Sequence, residues 1–116
     1  MTYAKYRNRR IDVDGITFDS IAESRRWVEL NLLKAAGDID NLSLQPSFTL
    51  QCAFKRDGKL IRAIVYRADF MYTEGDTIVV EDVKGGKATQ TAAFKLKQKM
   101  FLYHYPEYEL RIIDHA

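Results

Sequence analysis

The sequence predicts one α/β domain of the α+β type, with the element order ββ-α-βββ-α-β. Two kinds of periodicity support this class. Apolar residues alternate with polar ones along several short stretches, and they recur at helical spacing along two longer ones. The chain has 116 residues, enough for one domain with a modest hydrophobic core. We therefore expect a central mixed sheet flanked by helices and preceded by a short N-terminal β-hairpin.

The composition excludes several classes of protein. A single cysteine, Cys52, allows neither an internal disulfide nor a cysteine-based zinc site. No apolar run approaches the length of a membrane span, and no apolar stretch follows the basic residues near the N-terminus. We therefore expect neither a membrane partner nor a secretory signal, and these features favour the cytoplasm. No small-molecule cofactor is expected.

The chain begins with a basic segment and a hairpin. Residues 1–9 are polar, basic and aperiodic, and we predict that they form a flexible arm before a single domain spanning residues 10–116. Apolar residues then alternate around Asp14-Gly15. This dipeptide favours a two-residue turn, because both positions of a type I′ turn need positive φ angles.

Two helices are predicted. Ser20 and Glu23 have the spacing of a capping box, and apolar residues then recur on one helical face up to Gly37, a usual helix stop. The first helix is therefore expected over residues 21–36. The second is expected over residues 90–104, where another apolar stripe recurs at helical spacing.

The remaining elements are strands. Even-numbered residues are predominantly apolar over residues 42–54 and again over the later part of residues 60–72, with Pro46 indicating an edge or a bulge. Residues 77–84 carry apolar side chains on both faces, which indicates burial at the centre of the sheet. Residues 108–112 form the last predicted strand.

Asp69, Asp82 and Lys84 form the candidate active site. Asp82 and Lys84 are two residues apart on one strand, so their side chains leave the same face. If the hairpin loop consists of residues 75–76, or of four residues around them, Asp69 lies opposite Asp82 with Cβ atoms about 5 Å apart. The same register places Arg67 opposite Lys84. The pairing of these two positive charges has no explanation other than that both face phosphate.

Two facing carboxylates repel, so a cation has to compensate. Lys84 can do part of this. A bound Mg²⁺ or Mn²⁺ does it better, because hard cations take carboxylate oxygens and keep waters for a substrate phosphate. The lysine could then orient a water or neutralise charge on the phosphate. The alternative is a salt bridge between Asp82 and Lys84 on a solvated face, whereas Glu81 points the other way and is a poor ligand candidate.

The remaining candidates each have a simpler structural explanation. The first helix could aim Glu23 at the metal, but its capping box alone explains this residue. Gln45 could line the site or merely belong to a turn. Solvated surface explains any one of the following candidate contacts to nucleic-acid phosphates: Arg7, Arg9, Arg10, Lys87, Lys95 and Lys99.

A resemblance to a known family covers residues 18–113. Its segments are FDSIAESRRWVELNLL, DNLSLQPSFTL, YRADFMY, VVEDVKGG and FKLKQKMF. Together they resemble a small phage-associated family in the PD-(D/E)xK superfamily of restriction-endonuclease-like nucleases. Asp69 followed by the D-V-K triplet at residues 82–84 is similar to the superfamily signature, except that Ala68 replaces the proline.

The resemblance implies an α-βββ-α-β core in which Glu23, Asp69 and Asp82 hold Mg²⁺, with Mn²⁺ as a substitute, and Lys84 is catalytic. A helix glutamate is similar to the arrangement in phage junction-resolving endonucleases, which favours a ligand role for Glu23 over capping alone. The expected activity is hydrolysis of DNA, such as branched or recombining phage DNA in a bacterial cytoplasm. Cutting both strands would need a homodimer. The alternatives are a non-catalytic nucleic-acid-binding module and an adaptor of a phage replication or recombination complex.

Overall fold

The computed structural model describes residues 10–84 and 91–114, and these form a mixed α+β fold. In chain order the elements are β1 (Ile11–Val13), β2 (Ile16–Phe18), α1 (Ile21–Ala35), β3 (Asp40–Leu44), β4 (Ser47–Gln51), β5 (Phe54–Arg56), β6 (Lys59–Ile61), β7 (Ile64–Arg67), β8 (Phe70–Glu74), β9 (Thr77–Lys84), α2 (Ala92–His104) and β10 (Tyr108–Asp114). The arm predicted over residues 1–9 lies outside the described residues. Neither helix has the length and apolar character needed to cross a membrane.

Local sequence signals account for the first three elements of the chain, the β1–β2 hairpin and helix α1. Asp14 and Gly15 adopt φ angles of +52° and +81°, so the predicted β1–β2 hairpin turn is confirmed. The Ser20 side chain accepts a hydrogen bond from the N–H of Glu23 at 3.1 Å and caps α1. After the helix, Gly37 has a φ of +84°, and its N–H bonds back to a carbonyl of the last turn, which confirms it as the stop.

A four-stranded sheet forms the centre of the fold, in the order β10-β9-β8-β3. β9 runs antiparallel to β8 and parallel to β10. Residues 79–83 of β9 are all buried, so the two-sided burial predicted for this strand is confirmed. β10 continues to Asp114, two residues beyond the predicted strand, because it pairs with β9 up to Lys84.

The two long strands predicted in the middle of the chain are wrong in their continuity. Residues 42–54 are divided among β3, β4 and the start of β5, and residues 60–72 among β6, β7 and β8. β4 pairs with β7 and β5 with β6 in separate two-stranded ladders. The physical reason is a bend between β3 and β4, where Gln45 takes a φ of +49°, beside a matching break between β7 and β8.

The bend divides the apolar residues between two cores on opposite faces of the central sheet. Phe70 packs in the core beneath α1, whereas Ala68, only two residues earlier, packs in the core beneath α2. Along β9 the side chains alternate between these cores, with Val79 on the α1 side and Val80 on the α2 side. Phe101 of α2 is fully buried in the second core.

Candidate functional site

The candidate site lies at the end of the β8–β9 hairpin that is furthest from its turn. The loop consists of residues 75–76, with its glycine at a φ of +60°, and the ladder pairs Phe70 with Glu81. One step beyond that pair, Asp69 comes opposite Asp82. The Asp69 N–H still donates to the Glu81 carbonyl at 2.9 Å. The predicted hairpin register is therefore confirmed.

The bend in the neighbouring strand holds the backbone of Asp69 in place. The Gln45 N–H donates to the Asp69 carbonyl at 2.9 Å, and the Ala68 N–H donates to the Pro46 carbonyl at 3.1 Å. Gln45 thus adjoins the site through its backbone, at a residue whose positive φ forms the bend. Pro46 lies at the bend, as its effect on sheet pairing predicted.

The expected repulsion between Arg67 and Lys84 does not arise. On the N-terminal side of Asp69 the chain no longer lies along β9, and Arg67 pairs with Ser47 of β4 instead. The predicted register does not extend to this pair, because β7 and β8 are two strands rather than one. The end of β9 therefore has a backbone partner in β10 but none in β7 among the described residues.

Asp82 is only 5% exposed and is held by two neighbours. Its Oδ2 accepts a hydrogen bond from the Tyr66 hydroxyl at 2.7 Å, and its Oδ1 lies 3.2 Å from Nζ of Lys84. The Lys84 ammonium lies 3.6 Å from the centroid of the Phe94 ring, a cation–π contact. The salt bridge considered above thus exists, but in a largely buried setting rather than on a solvated face.

Asp69 is fixed through its side chain as well. Its Oδ2 accepts a hydrogen bond from the N–H of Val83 at 2.7 Å, which satisfies a β9 donor beyond the end of the β8 ladder. Burial raises the pKa of Asp69 to about 8, with smaller contributions from the negative charges of Glu23 and Asp82. The Val83 N–H acts in the opposite direction. The Asp69 carboxyl therefore stays protonated at pH values well above the usual carboxyl pKa, unless a cation binds beside it.

Glu23 reaches the same group of carboxylates from α1. Burial is the largest cause of its raised pKa, followed by the negative charge of Asp19, and the charge of Asp82 raises it further. In the helix cap the Ser20 hydroxyl accepts from the Glu23 backbone N–H at 3.1 Å, and the same hydroxyl donates to the Glu23 carboxylate at 3.4 Å. That carboxylate interacts with Asp69, so Glu23 both takes part in the cap and lies at the site.

Glu81 occupies the opposite side of β9, as the strand alternation predicted. It is fully buried and accepts two hydrogen bonds from Arg26, from Nε at 2.8 Å and from Nη2 at 2.7 Å. The Tyr72 hydroxyl donates a third. This carboxylate is therefore fully occupied by partners from the α1 side and is separated from Asp82 by the sheet.

The donor set suits a hard divalent cation, although the side chains do not converge on one point. Among the described residues, no three His, Cys, Asp or Glu side chains are arranged to hold a metal ion as they stand. The chemistry nevertheless fits: Asp69, Asp82 and Glu23 offer carboxylate oxygens, and two of them have raised pKa values that a cation would lower.

A cleft with a volume of about 550 Å³ opens beside Tyr66 and Phe94. Its lining consists of Ser47, Val65, Tyr66, Arg67, Thr91, Ala93, Phe94 and Lys97. Arg67 was expected to face phosphate through its predicted register, and neither Arg67 nor Lys97 is among the six candidate contacts with nucleic acid named above. The spacing of Phe94 and Lys97, three residues apart and hence on one helical face, was the signal that could have indicated Lys97.

The cations predicted to contact nucleic acid are spread over the molecule. Lys95 and Lys99 are exposed on α2 but do not line the cleft, and Arg10 is exposed with Nε 4.0 Å from Asp19. The other three predicted contacts, Arg7, Arg9 and Lys87, lie outside the described residues. Of the six predicted cations, none of those described lies in the cleft.

Tyr66 and Gln98 are polar neighbours of the site that the sequence analysis missed. Burial raises the pKa of Tyr66, and the hydrogen bond to Asp82 raises it further, so its hydroxyl remains a neutral donor. Gln98 approaches that hydroxyl and acts in the opposite direction, while its buried Nε2 completes no hydrogen bond among the described residues. Tyr66 fits the apolar alternation of its strand, which conceals its polar role.

Comparison with known proteins gives a family without an assigned activity. Residues 3–116 match the family described as a protein of unknown function, DUF1064. No curated protein and no solved structure matches the chain. Because the match covers nearly the entire sequence, the chain belongs to the DUF1064 family.

Proposed function

We propose that the protein is a metal-dependent endonuclease that hydrolyses phosphodiester bonds in DNA. The observation that carries this proposal is the meeting of Asp69 and Asp82 across the hairpin, with Glu23 in the same electrostatic environment and the Lys84 ammonium 3.2 Å from Asp82. A buried carboxyl whose pKa is raised by burial and by neighbouring carboxylates, as that of Asp69 is by Glu23 and Asp82, is costly for stability and typical of functional sites. We infer that this protein keeps them for catalysis.

The element order supports a restriction-endonuclease-like core. One helix, a bent antiparallel hairpin, the central strand β9, a second helix and the parallel strand β10 follow one another as the PD-(D/E)xK resemblance implies. Apart from the N-terminal pair β1 and β2, the remaining strands are β5 and β6, which form a separate two-stranded ladder. A fold alone does not determine a reaction, so the proposal rests on the side chains at the end of β9.

Asp69, Asp82 and Glu23 would hold Mg²⁺ or Mn²⁺, which would supply positive charge to the scissile phosphate and a bound water. The protein's own groups do the rest. The Val83 N–H orients Asp69, and the Tyr66 hydroxyl orients Asp82. The Lys84 ammonium lies on the same face as Asp82, where it can neutralise charge that develops on the phosphate oxygens.

Incubation with labelled DNA tests the activity directly. Linear duplex, single-stranded and four-way-junction DNA would be incubated with Mg²⁺, with Mn²⁺ and with a chelator. We expect metal-dependent cleavage that Asp82→Asn and Lys84→Met abolish. Asp76→Asn, which changes an exposed aspartate in the turn of the same hairpin, is the matched control and should cut normally. Cleavage that persists in chelator, or in both site variants, would refute the proposed site.

Glu23→Gln separates the two roles of this residue. Glutamine keeps the backbone N–H that bonds to Ser20, so the helix cap should survive. It removes the negative charge that a metal ligand needs, so cleavage should fall at least ten-fold and require more Mg²⁺. Normal cleavage at low Mg²⁺ would show that Glu23 only belongs to the cap.

A second candidate function is a nucleic-acid-binding module without catalysis. It is favoured by two observations: the described carboxylates do not converge on one point, and Lys84 is engaged by Asp82 and the Phe94 ring. Binding to every DNA form without cleavage in either metal would support it. An adaptor in a phage replication or recombination complex would instead bind another protein and would not bind DNA. For the nuclease, cutting of both strands would depend on a homodimer, which sedimentation would detect.

A further inference from the structure

The hairpin formed by β5 and β6 projects from the rest of the protein. We call residues 51–63 the ribbon, and every one of them is exposed. Its two strands pair with each other through Phe54–Ile61 and Arg56–Lys59, and in the described part of the chain they join no larger sheet. A tight turn at Asp57 and Gly58, with φ angles of +52° and +76°, closes the end. Such an exposed element gains little stability for the fold by itself.

The charge of the ribbon is strongly one-sided. It carries four cations and one acid, Asp57, so its net charge is 4 − 1 = +3, more than the +2 of the whole chain. The four cations are Lys55, Arg56, Lys59 and Arg62. None of them forms an ion pair within the described ranges. They are therefore free to neutralise charges on another molecule.

Apolar side chains lie between these cations. Phe54, Leu60 and Ile61 are 44%, 62% and 40% exposed. Leu60 pairs with Lys55 across the ribbon, and pairing places both side chains on the same face. Each face of the ribbon thus combines positive charge with apolar surface. Such a mixture can contact phosphates through the charges, and sugars and base edges through the apolar side chains.

We propose that the ribbon binds a groove of duplex DNA next to the cleaved phosphate. A two-stranded ribbon fits the major groove, which is about 12 Å wide. Arg67, which lines the cleft beside Tyr66, is 67 − 59 = 8 residues from Lys59 near the tip, a distance of at most about 26 Å along a strand. One turn of the duplex spans about 34 Å, so the ribbon would contact DNA within one turn of the site. This inference deepens the proposed nuclease function and rests on it for the nature of the ligand.

The charge of the ribbon decides between DNA and a second copy of the chain. Two ribbons meeting in a symmetric dimer would bring +3 against +3, with only Asp57 in each ribbon to compensate. Duplex DNA carries one negative charge for about every 1.7 Å of its axis and matches the ribbon along its whole length. Duplex rather than single-stranded DNA is favoured because a protruding two-stranded element matches a groove in shape.

Two double variants with equal charge changes test the proposal. Lys55→Gln with Arg56→Gln removes one lysine and one arginine from the ribbon. Arg25→Gln with Lys34→Gln removes the same two residue types from exposed positions on α1. Each protein would be titrated into a labelled 30-base-pair duplex in EDTA, where no cleavage occurs, at several salt concentrations. Far-ultraviolet circular dichroism and thermal melting would show that both variants remain folded.

We expect the ribbon variant to lose about ten-fold or more in duplex affinity and to lower the salt slope by about 2, roughly 0.9 for each lost phosphate contact. The α1 variant should bind like the wild type. Equal losses in both variants would overturn the proposal, since they would show a general effect of charge. A wild-type dimer that the ribbon variant converts to monomers would also overturn it. Because binding is measured without metal, a protein that binds through the ribbon but never cuts would refute only the nuclease function.

Discussion

The buried ion pair between Arg26 and Glu81 should be among the most sensitive points of the fold. Arg26 approaches Glu81 with two parallel hydrogen bonds, its side chain is 17% exposed and the Glu81 side chain is fully buried. Replacing Arg26 with leucine leaves the Glu81 carboxylate with only the Tyr72 hydroxyl and no cation. Removing one partner of such a pair costs about 3–5 kcal/mol.

The lower end of that range applies here, because Arg26 retains some contact with solvent and the Tyr72 hydrogen bond remains. A loss of about 3 kcal/mol is a large fraction of the 5–15 kcal/mol that stabilises a typical domain. In a domain of this size it corresponds to a drop of roughly 10 °C in the melting temperature. Urea unfolding of the wild type and of Arg26→Leu at pH 7 gives the difference directly.

Two controls make this test specific. Arg25→Leu removes an adjacent arginine that is exposed on α1, and its unfolding midpoint should stay close to that of the wild type. Glu81→Gln combined with Arg26→Leu should cost clearly less than the sum of the two single changes, because the uncompensated buried charge is then absent. If Arg26→Leu unfolds at the same urea concentration as Arg25→Leu, the ion pair does not stabilise the protein as its geometry indicates.

Three further predictions concern the site and its support. Burial raises the pKa of Asp69 to about 8, so between pH 5 and pH 8 the metal-free folded protein holds a proton that the unfolded chain has lost. The free energy of unfolding should therefore fall as the pH rises over this range, by at most about 1.4 kcal/mol per pH unit. Urea titrations in EDTA should show that Asp69→Asn flattens this slope. Tyr66→Phe removes the hydroxyl that bonds to Asp82 and should lower the free energy of unfolding by about 1 kcal/mol and reduce cleavage; unchanged values of both would contradict its proposed role. Gly37→Ala should lower the free energy of unfolding in urea by about 1 kcal/mol, because a φ of +84° strains any residue with a Cβ. A Cβ at this position meets no atom within 4 Å, so the cost comes from the backbone alone. A neutral result would mean that the end of the helix rearranges.

Turn chemistry made the core of the site predictable from sequence. The β8–β9 loop contains Gly75, which accepts a positive φ, and its two-residue length determines that Asp69 comes opposite Asp82. Alternation along β9 then placed Glu81 on the opposite face. These inferences succeeded because they depend on local geometry over a few residues. The approach of Glu23 to these two carboxylates could not be derived in this way, since it depends on how α1 packs against the sheet.

The bend escaped prediction because apolar alternation keeps its phase across it. Ala68 and Phe70 are both even-numbered and both apolar, so they were expected on one face of one strand. In the structure they enter different cores, because the chain turns between them. On the neighbouring strand Gln45 makes the turn possible through its positive φ. A positive φ at a glutamine is uncommon and cannot be detected from a pattern of apolar residues.

The same bend explains why a site can exist at this point of the sheet. Where β7 leaves β9, the edge of β9 at residues 82–84 loses the strand that would otherwise cover it, while β10 still pairs with its other edge. The Val83 N–H would then lack a partner, and the Asp69 carboxylate takes the place of the missing strand. A carboxylate that completes a backbone ladder is held in position without a salt bridge of its own. It therefore stays beside Asp82 at the opening left by the departing strand, where a substrate phosphate could approach both acids and Lys84.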